Sequence, residues 1–261
     1  MSVLEGTNLW RAYRRGEDVL RGVSFAIPAG QVVGLLGKNG AGKTTLLRLA
    51  MGMLEPQQGT MRVLGLDPRR SPVEVKRRVG YVAEDQVVPP FLSVEQVLAL
   101  HQSLFPTWDA GFAARLTSRF ELPVRARIRT LSKGQARRVA LVCAVAHRPE
   151  LLLLDEPASG LDPAARREFL ETSIQLLNES GCAILFSSHY MTDVERMADR
   201  IVFLHEGKVL VDDGLDELRE GFSLVLLPPG AGTTRERLLG QDGCLAVRER
   251  SGALRAILRH E

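Results

Sequence analysis

The chain has 261 residues, 45% of them hydrophobic and 25% charged, with a net charge of +3. Such a chain can bury one large core, or a core plus a smaller lobe, and its composition is that of an ordinary globular protein. The densest apolar run, VALVCAVA (Val139 to Ala146), falls far short of the ~18–20 residues of a membrane span. The start, MSVLEGTNLWRAYRR, lacks the apolar segment of a secretory signal, so a cytoplasmic chain is expected.

From the N-terminus, NLWRAY and VLRGVSFAI flank the turn RRGED and predict a β-rich start over residues 1–30. QVVGLLG (Gln31 to Gly37) is a continuous apolar run, as in a parallel strand buried on both faces. A glycine loop follows, then TTLLRLAMGML, made of good helix formers. Four more runs predict strands: VGYVAE (Val79 to Glu84), LLLLDE (Leu151 to Glu156), AILFSS (Ala183 to Ser188) and RIVFLHEGKVLV (Arg200 to Val211). The last reads as a hairpin turning at His205–Lys208.

Between Pro89 and Pro149 the period changes. SVEQVLALHQSLF and RRVALVCAVA place apolar residues at i, i+3 and i+4, as amphipathic helices do. Sheet, helical insert and sheet again predict an α/β core interrupted by a mainly helical lobe at about residues 86–150. We expect one domain over residues 1–221 and a small extension over 222–261. There SLVLLPPGAG, CLAVRER and ALRAILRH could form a strand–helix element, with PPGAG a loop. Three cysteines (Cys143, Cys182, Cys244) lie far apart with no C-x-x-C pair, which fits small reduced core residues. RARIR (Arg125 to Arg129) could track nucleic-acid phosphates, but a solvated face is the simpler reading.

GKNGAGKT, between its strand and helix, matches the phosphate-loop pattern G-x-x-x-x-G-K-[ST] without a gap. Over Gly37, Lys38, Asn39, Gly40, Ala41, Gly42, Lys43, Thr44 and Thr45, the glycines let successive N–H groups face phosphate oxygens. Lys43 reaches the β- and γ-phosphates and the Thr44 hydroxyl ligates Mg2+. LLLLDEP then brings a buried strand out at Asp155, suited to Mg2+, and Glu156, suited to orienting or deprotonating an attacking water. A charge pair at a helix start is the alternative. SSHY puts His189 at the end of the next strand, where it could contact the γ-phosphate. LSKGQARR (Leu131 to Arg138) is a second anion site, with a hydroxyl and a glycine at the foot of a helix.

Together these motifs resemble the ATP-binding cassette (ABC) ATPases of the P-loop NTPase class, in family order over roughly residues 5–215. GKNGAGKT looks like their Walker A, LSKGQ their signature, LLLLDE their Walker B, SGLD (Ser159 to Asp162) their D-loop and SSH their switch histidine. The resemblance implies an ABC-type core with a mixed sheet flanked by helices and an N-terminal antiparallel part. It also implies ATP and Mg2+ as cofactors, and head-to-tail pairing of two copies. The signature residues Ser132, Lys133, Gly134 and Gln135 of one copy then address the ATP held by the other, and Asp162 is the D-loop aspartate. Closure is favoured only while the γ-phosphate touches both halves.

Two positions depart from the usual pattern. Lys133 replaces the first glycine of L-S-G-G-Q, which suggests that only Gly134 needs permissive backbone geometry or close phosphate approach. In GYVAEDQ, Glu84 stands where the family has a glutamine serving Mg2+ and the attacking water, with Gln86 the alternative. Tyr13 resembles the family's adenine-stacking aromatic, with Trp10 the competitor.

The resemblance points to the ATP-hydrolysing subunit of an ABC transporter. Its partners would be an integral-membrane permease on a separate chain and a second ABC ATPase subunit, as a homo- or heterodimer on the cytoplasmic face of the cell membrane. The partner would dock between the loop at Glu84–Pro90 and the helical lobe. PTWD, LSKGQ and SSHYMTDVE loosely resemble bacterial ABC-2-type export ATPases, so export is expected. No nucleic-acid partner is expected. The alternatives are a soluble ABC-class ATPase acting on nucleic acid or ribosomes, and an ATP-binding regulatory module.

Overall fold

The computed structural model describes residues 1–14, 16–85, 88–178, 181–229 and 232–259. The chain divides into two compact units, Met1–Asp212 and Asp213–Glu261.

The first unit opens with an antiparallel pair, β1 (Ser2–Arg14) and β2 (Glu17–Pro28). There follow β3 (Val32–Leu36), α1 (Lys43–Ala50), β4 (Gln58–Val63), α2 (Pro72–Arg78) and β5 (Val79–Val82). The lobe contains α3 (Val94–Leu104), α4 (Ala110–Arg119), a 3-10 turn at Ile128–Thr130 and α5 (Lys133–Val145). The chain then returns through β6 (Leu151–Leu154), α6 (Pro163–Asn178), β7 (Ala183–Ser188), α7 (Met191–Met197), β8 (Arg200–His205) and β9 (Lys208–Gly214). β4, α2, α4, α6 and α7 add to the elements that the sequence pattern predicts.

Two sheets result. One is three-stranded, in the order β2-β1-β4, and the other six-stranded, in the order β5-β6-β7-β3-β8-β9. In the larger sheet β5, β6, β7, β3 and β8 pair in parallel. Every residue of β6 and β7 is buried, as strands covered on both faces must be. The two residues between β8 and β9, Glu206 and Gly207, have φ of 48° and 76°, the left-handed pair of a tight hairpin turn.

Polar residues set the helix starts of the lobe. Ser93 caps α3 reciprocally with Gln96, and Asp109 Oδ1 accepts the Phe112 N–H at 2.8 Å ahead of α4. Arg148 holds that aspartate at 2.8 Å, and the two contacts together keep its carboxyl below the usual carboxylate range.

The second unit is a three-stranded antiparallel sheet in the order β10 (Phe222–Leu227), β12 (Ala253–Arg259), β11 (Cys244–Arg250), with α8 (Leu215–Gly221) and α9 (Arg235–Leu239). The division falls between Asp212 and Asp213, within the end of β9, so α8 groups with this unit. Of ALRAILRH, Ala253–Arg259 is a strand, the central one, and His260 lies outside the described residues. Leu238, Val247 and Ala256 form its small core. Of the loop PPGAG, Gly230 and Ala231 lie outside the described residues. Among the described residues no helix is long and apolar enough to cross a membrane.

Candidate functional site

β6, β7 and β3 are neighbours running in parallel, so their carboxyl ends open onto one edge of the sheet, the usual ligand edge of such sheets. The register sets Leu154 beside Phe186 and Leu36 beside Ser188. Gly37, the Asp155–Glu156 pair and His189 therefore leave the sheet side by side. Sequence spacing alone cannot give this, since the strand order differs from the chain order.

The glycine loop turns into α1 at Gly42, with φ 108°. A Cβ there would lie 2.9 Å from the Val19 carbonyl oxygen, so both the conformation and the space demand glycine. Lys43 is buried; its Nζ donates to the Gly37 carbonyl at 2.6 Å and to that of Lys38 at 3.2 Å. The same ammonium lies 3.0 Å from Glu156 Oε1, a buried ion pair.

Asp155 Oδ1 accepts from the Thr44 hydroxyl at 3.1 Å and from the Ser187 hydroxyl at 3.0 Å. Burial pushes the Asp155 carboxyl up, the two hydroxyls oppose that, and the Glu156 charge adds to it. A cation here would relieve the strain on that carboxylate. One carboxylate and one hydroxyl meeting at 3.1 Å is also the sparse, all-oxygen set that Mg2+ uses when substrate phosphates supply further ligands. Among the described residues no cluster of three or more His, Cys, Asp or Glu is placed to hold a metal by itself.

Glu156 has a left-handed backbone, φ 44°. Its N–H donates to Ser187 Oγ at 2.7 Å, and its Oε2 lies 2.9 Å from His189 Nδ1. Behind the histidine, its ring lies 4.0 Å from that of Tyr190. The Arg166 guanidinium, on α6, lies 3.7 Å over the Tyr190 ring, and its Nε donates to both carboxylate oxygens of Asp193 at 3.0 and 3.1 Å. Asp193 in turn accepts from the Ser188 hydroxyl at 2.9 Å.

A cleft of about 460 Å³ joins Tyr13, Asn39, Gly40, Lys43, Thr44 and Thr45 to Glu84 and Glu156. Tyr13 is half exposed, with its hydroxyl 3.1 Å from Thr45 Oγ1. The Trp10 indole instead donates to Asn8 Oδ1 at 3.0 Å, and Trp10 is not among the residues lining the cleft. Glu84 lines the cleft, whereas Gln86 lies outside the described residues.

The signature segment lies elsewhere. Ser132, Lys133, Gly134 and Gln135 are not among the residues lining the cleft. Ser132 caps α5: its Oγ accepts the Gln135 N–H at 3.1 Å, while Gln135 Oε1 accepts the Ser132 N–H at 3.0 Å. Gly134 is helical without positive φ, and a Cβ on it would meet Leu161 at an ordinary 3.6 Å. Permissive backbone geometry is thus not the reason for a glycine there. Asp162 Oδ1 accepts the Ala165 N–H at 3.0 Å, at the start of α6.

Beside the cleft runs a second, more apolar groove of about 410 Å³, lined by Tyr81, His101, Phe105, Arg137, Cys143 and His147, and sharing Glu84 with the cleft. The Phe105 and His147 rings stack at 4.1 Å. Burial pushes the His147 imidazole down to about 4.

The motif reading misses Ser187, Arg137 and the Arg166–Asp193 pair. Two serines closing the otherwise apolar run AILFSS are the one visible signal, since polar groups buried in a strand need partners.

Residues 20–159 match the family model described as ABC transporter. The ABC transporter ATP-binding protein YtrB of Bacillus subtilis is 35% identical over 207 residues, covering 79% of this chain and 70% of the relative. The linearmycin resistance ATP-binding protein LnrL of the same organism is 32% identical over 213 residues, covering 80% of this chain and 68% of the relative. A solved ATP-binding subunit of an ABC transporter superposes with a TM-score of 0.74 at 32% identity, covering 84% of this chain and 92% of that one.

Proposed function

The chain belongs to the ABC transporter family of ATP-binding proteins, and on that premise we propose that it hydrolyses ATP at a cleft completed by a second subunit, to power a separate membrane permease. One observation carries this reading. Glu156, in a left-handed turn at the sheet edge, lies between Lys43 at 3.0 Å and His189 at 2.9 Å, in a cleft that Tyr13 also lines.

In this reading Tyr13 stacks on the base, and residues 37–45 hold the phosphates through backbone N–H groups and Lys43. Thr44 and Asp155, with Glu84, would hold Mg2+, which would neutralise phosphate charge. Lys43 leaves Glu156 for the phosphates. The freed carboxylate orients the attacking water and accepts its proton, while His189 fixes the carboxylate through Nδ1.

Ser132, Gly134 and Gln135, with Lys133 adding charge, cap the nucleotide of a second copy, and Asp162 meets that copy at the junction. Two features support a role in trans: these residues do not line their own chain's cleft, and Gly134 has no internal need for glycine. The permease docks a helical segment in the apolar groove by Glu84, which places the chain on the cytoplasmic face of the membrane. The name of the linearmycin resistance relative supports export over import. A role on nucleic acid is not favoured, because the matching family model and the YtrB relative are those of ABC transporters.

The test is ATP turnover and oligomeric state of wild type beside Glu156→Gln. An ATP-dependent dimer that persists in the variant, with turnover lost, is the expected result. Wild-type turnover in the variant would remove Glu156 from the chemistry.

A further inference from the structure

Arg137 follows the signature residues on α5 and does not line the cleft, yet it touches the backbone of both strand-end segments on which the cleft depends. From α5, its Nη1 donates to the Glu156 carbonyl at 2.8 Å and its Nη2 to the Glu84 carbonyl at 3.3 Å. The first of these carbonyls belongs to the left-handed residue, φ 44°. A non-glycine residue in that region is strained, and persists where its surroundings hold it. The Glu156 N–H is held by Ser187, and its carbonyl by Arg137 and by the Ser159 N–H at 2.9 Å. Ser159 is only three residues on, within the same turn. Arg137 is the contact that comes from the helical lobe.

We propose that Arg137 is a positioning residue: it holds Glu156 in the turn that aims the carboxylate into the cleft, and ties that turn to the Glu84 segment. The proposal rests on the reading of Glu156 as the carboxylate that activates water. A planar fork is what the task requires, because two carbonyls diverging from neighbouring strands accept from two different nitrogens of one guanidinium. An ammonium, whose donors all leave one nitrogen, spans such a diverging pair less well. Arg137 also lines the groove, so the turn at Glu156 and the wall of the groove share one side chain.

The experiment is steady-state ATP hydrolysis by the full chain, with kcat and KM resolved, for Arg137→Met, Arg137→Lys and Arg137→Ala with added methylguanidinium. Glu156→Gln is measured alongside, and Arg78→Met serves as a control, since Arg78 pairs with Glu150 on the surface. Arg137→Met is expected to lower kcat by roughly 10–100-fold, the effect of a misplaced group, with KM for ATP within about twofold of wild type. Lysine should recover part of kcat, and methylguanidinium should raise kcat of Arg137→Ala while leaving Glu156→Gln and Arg78→Met unchanged.

Wild-type kcat in Arg137→Met would overturn the positioning role. So would a loss that neither lysine nor methylguanidinium relieves and that follows a lowered thermal midpoint, the mark of a fold contact only. Full turnover in Glu156→Gln would instead remove the premise, and is read independently of the Arg137 variants.

Discussion

The cleft and the signature segment are both phosphate-reading loops at helix starts, but they are finished differently. Around the cleft, Lys43, Thr44, Asp155, Glu156 and Ser187 form a closed set in which each buried polar side chain meets another from the same chain. At the signature, the internal contacts are those of the helix cap. Ser132 and Gln135 satisfy each other, Ser132 and Lys133 are exposed, and the glycine answers no demand of its own backbone. One loop is built inward and the other outward. A loop with no internal reason for its residues is where a partner surface should be sought.

The strongest way to break this comparison is at its inward end. Glu156→Gln should cost roughly 100-fold or more in turnover, the range for losing a general base, while nucleotide still binds; phosphate release beside equilibrium binding reads both. Next comes the outward end. Gly134→Asp should lower turnover by about 10–100-fold through charge repulsion at the partner's phosphates. Its thermal midpoint should stay near wild type, because a Cβ there makes only ordinary contact. A large loss of stability would show that the glycine serves the fold after all.

A third test asks how firmly the lobe is seated. His147 is held neutral, its value pushed down to about 4 by burial, so below pH ~6.5 the unfolded chain takes up a proton that the folded chain refuses. The stabilisation is complete above that pH and is lost as pH falls. Urea titrations should lose about 1–2 kcal/mol between roughly pH 6.5 and 5, less so in His147→Gln. The smallest effect belongs to Tyr13→Ala. A half-exposed ring should contribute about three- to fivefold in KM, and unchanged KM would return the stacking role to open question.

Much of the site was legible because its chemistry sits where apolar strands end. Four leucines followed by Asp155 and Glu156, or a strand closing on Ser188 and His189, announce themselves locally. What could not be read were contacts set by strand order. Ser187 reaches Asp155 because β7 lies against β6, and Arg137 reaches Glu156 because α5 packs across the sheet edge. Arg166 and Asp193 meet across 27 positions of sequence, on helices whose packing no period reveals. In the second unit, ALRAILRH carries strand and helix signals together, and its place between two strands decides for the sheet.

The ion pair between Lys43 and Glu156 makes the carboxylate a rival of the incoming phosphate for the same ammonium. Neutralising Glu156 therefore does two separable things: it removes the base, and it leaves a buried lysine seeking an anion, with the penalty of an unmatched charge. The Gln variant should hold nucleotide more tightly even as an isolated monomer. Part of the grip of a persistent dimer would then be competition lifted inside a single chain.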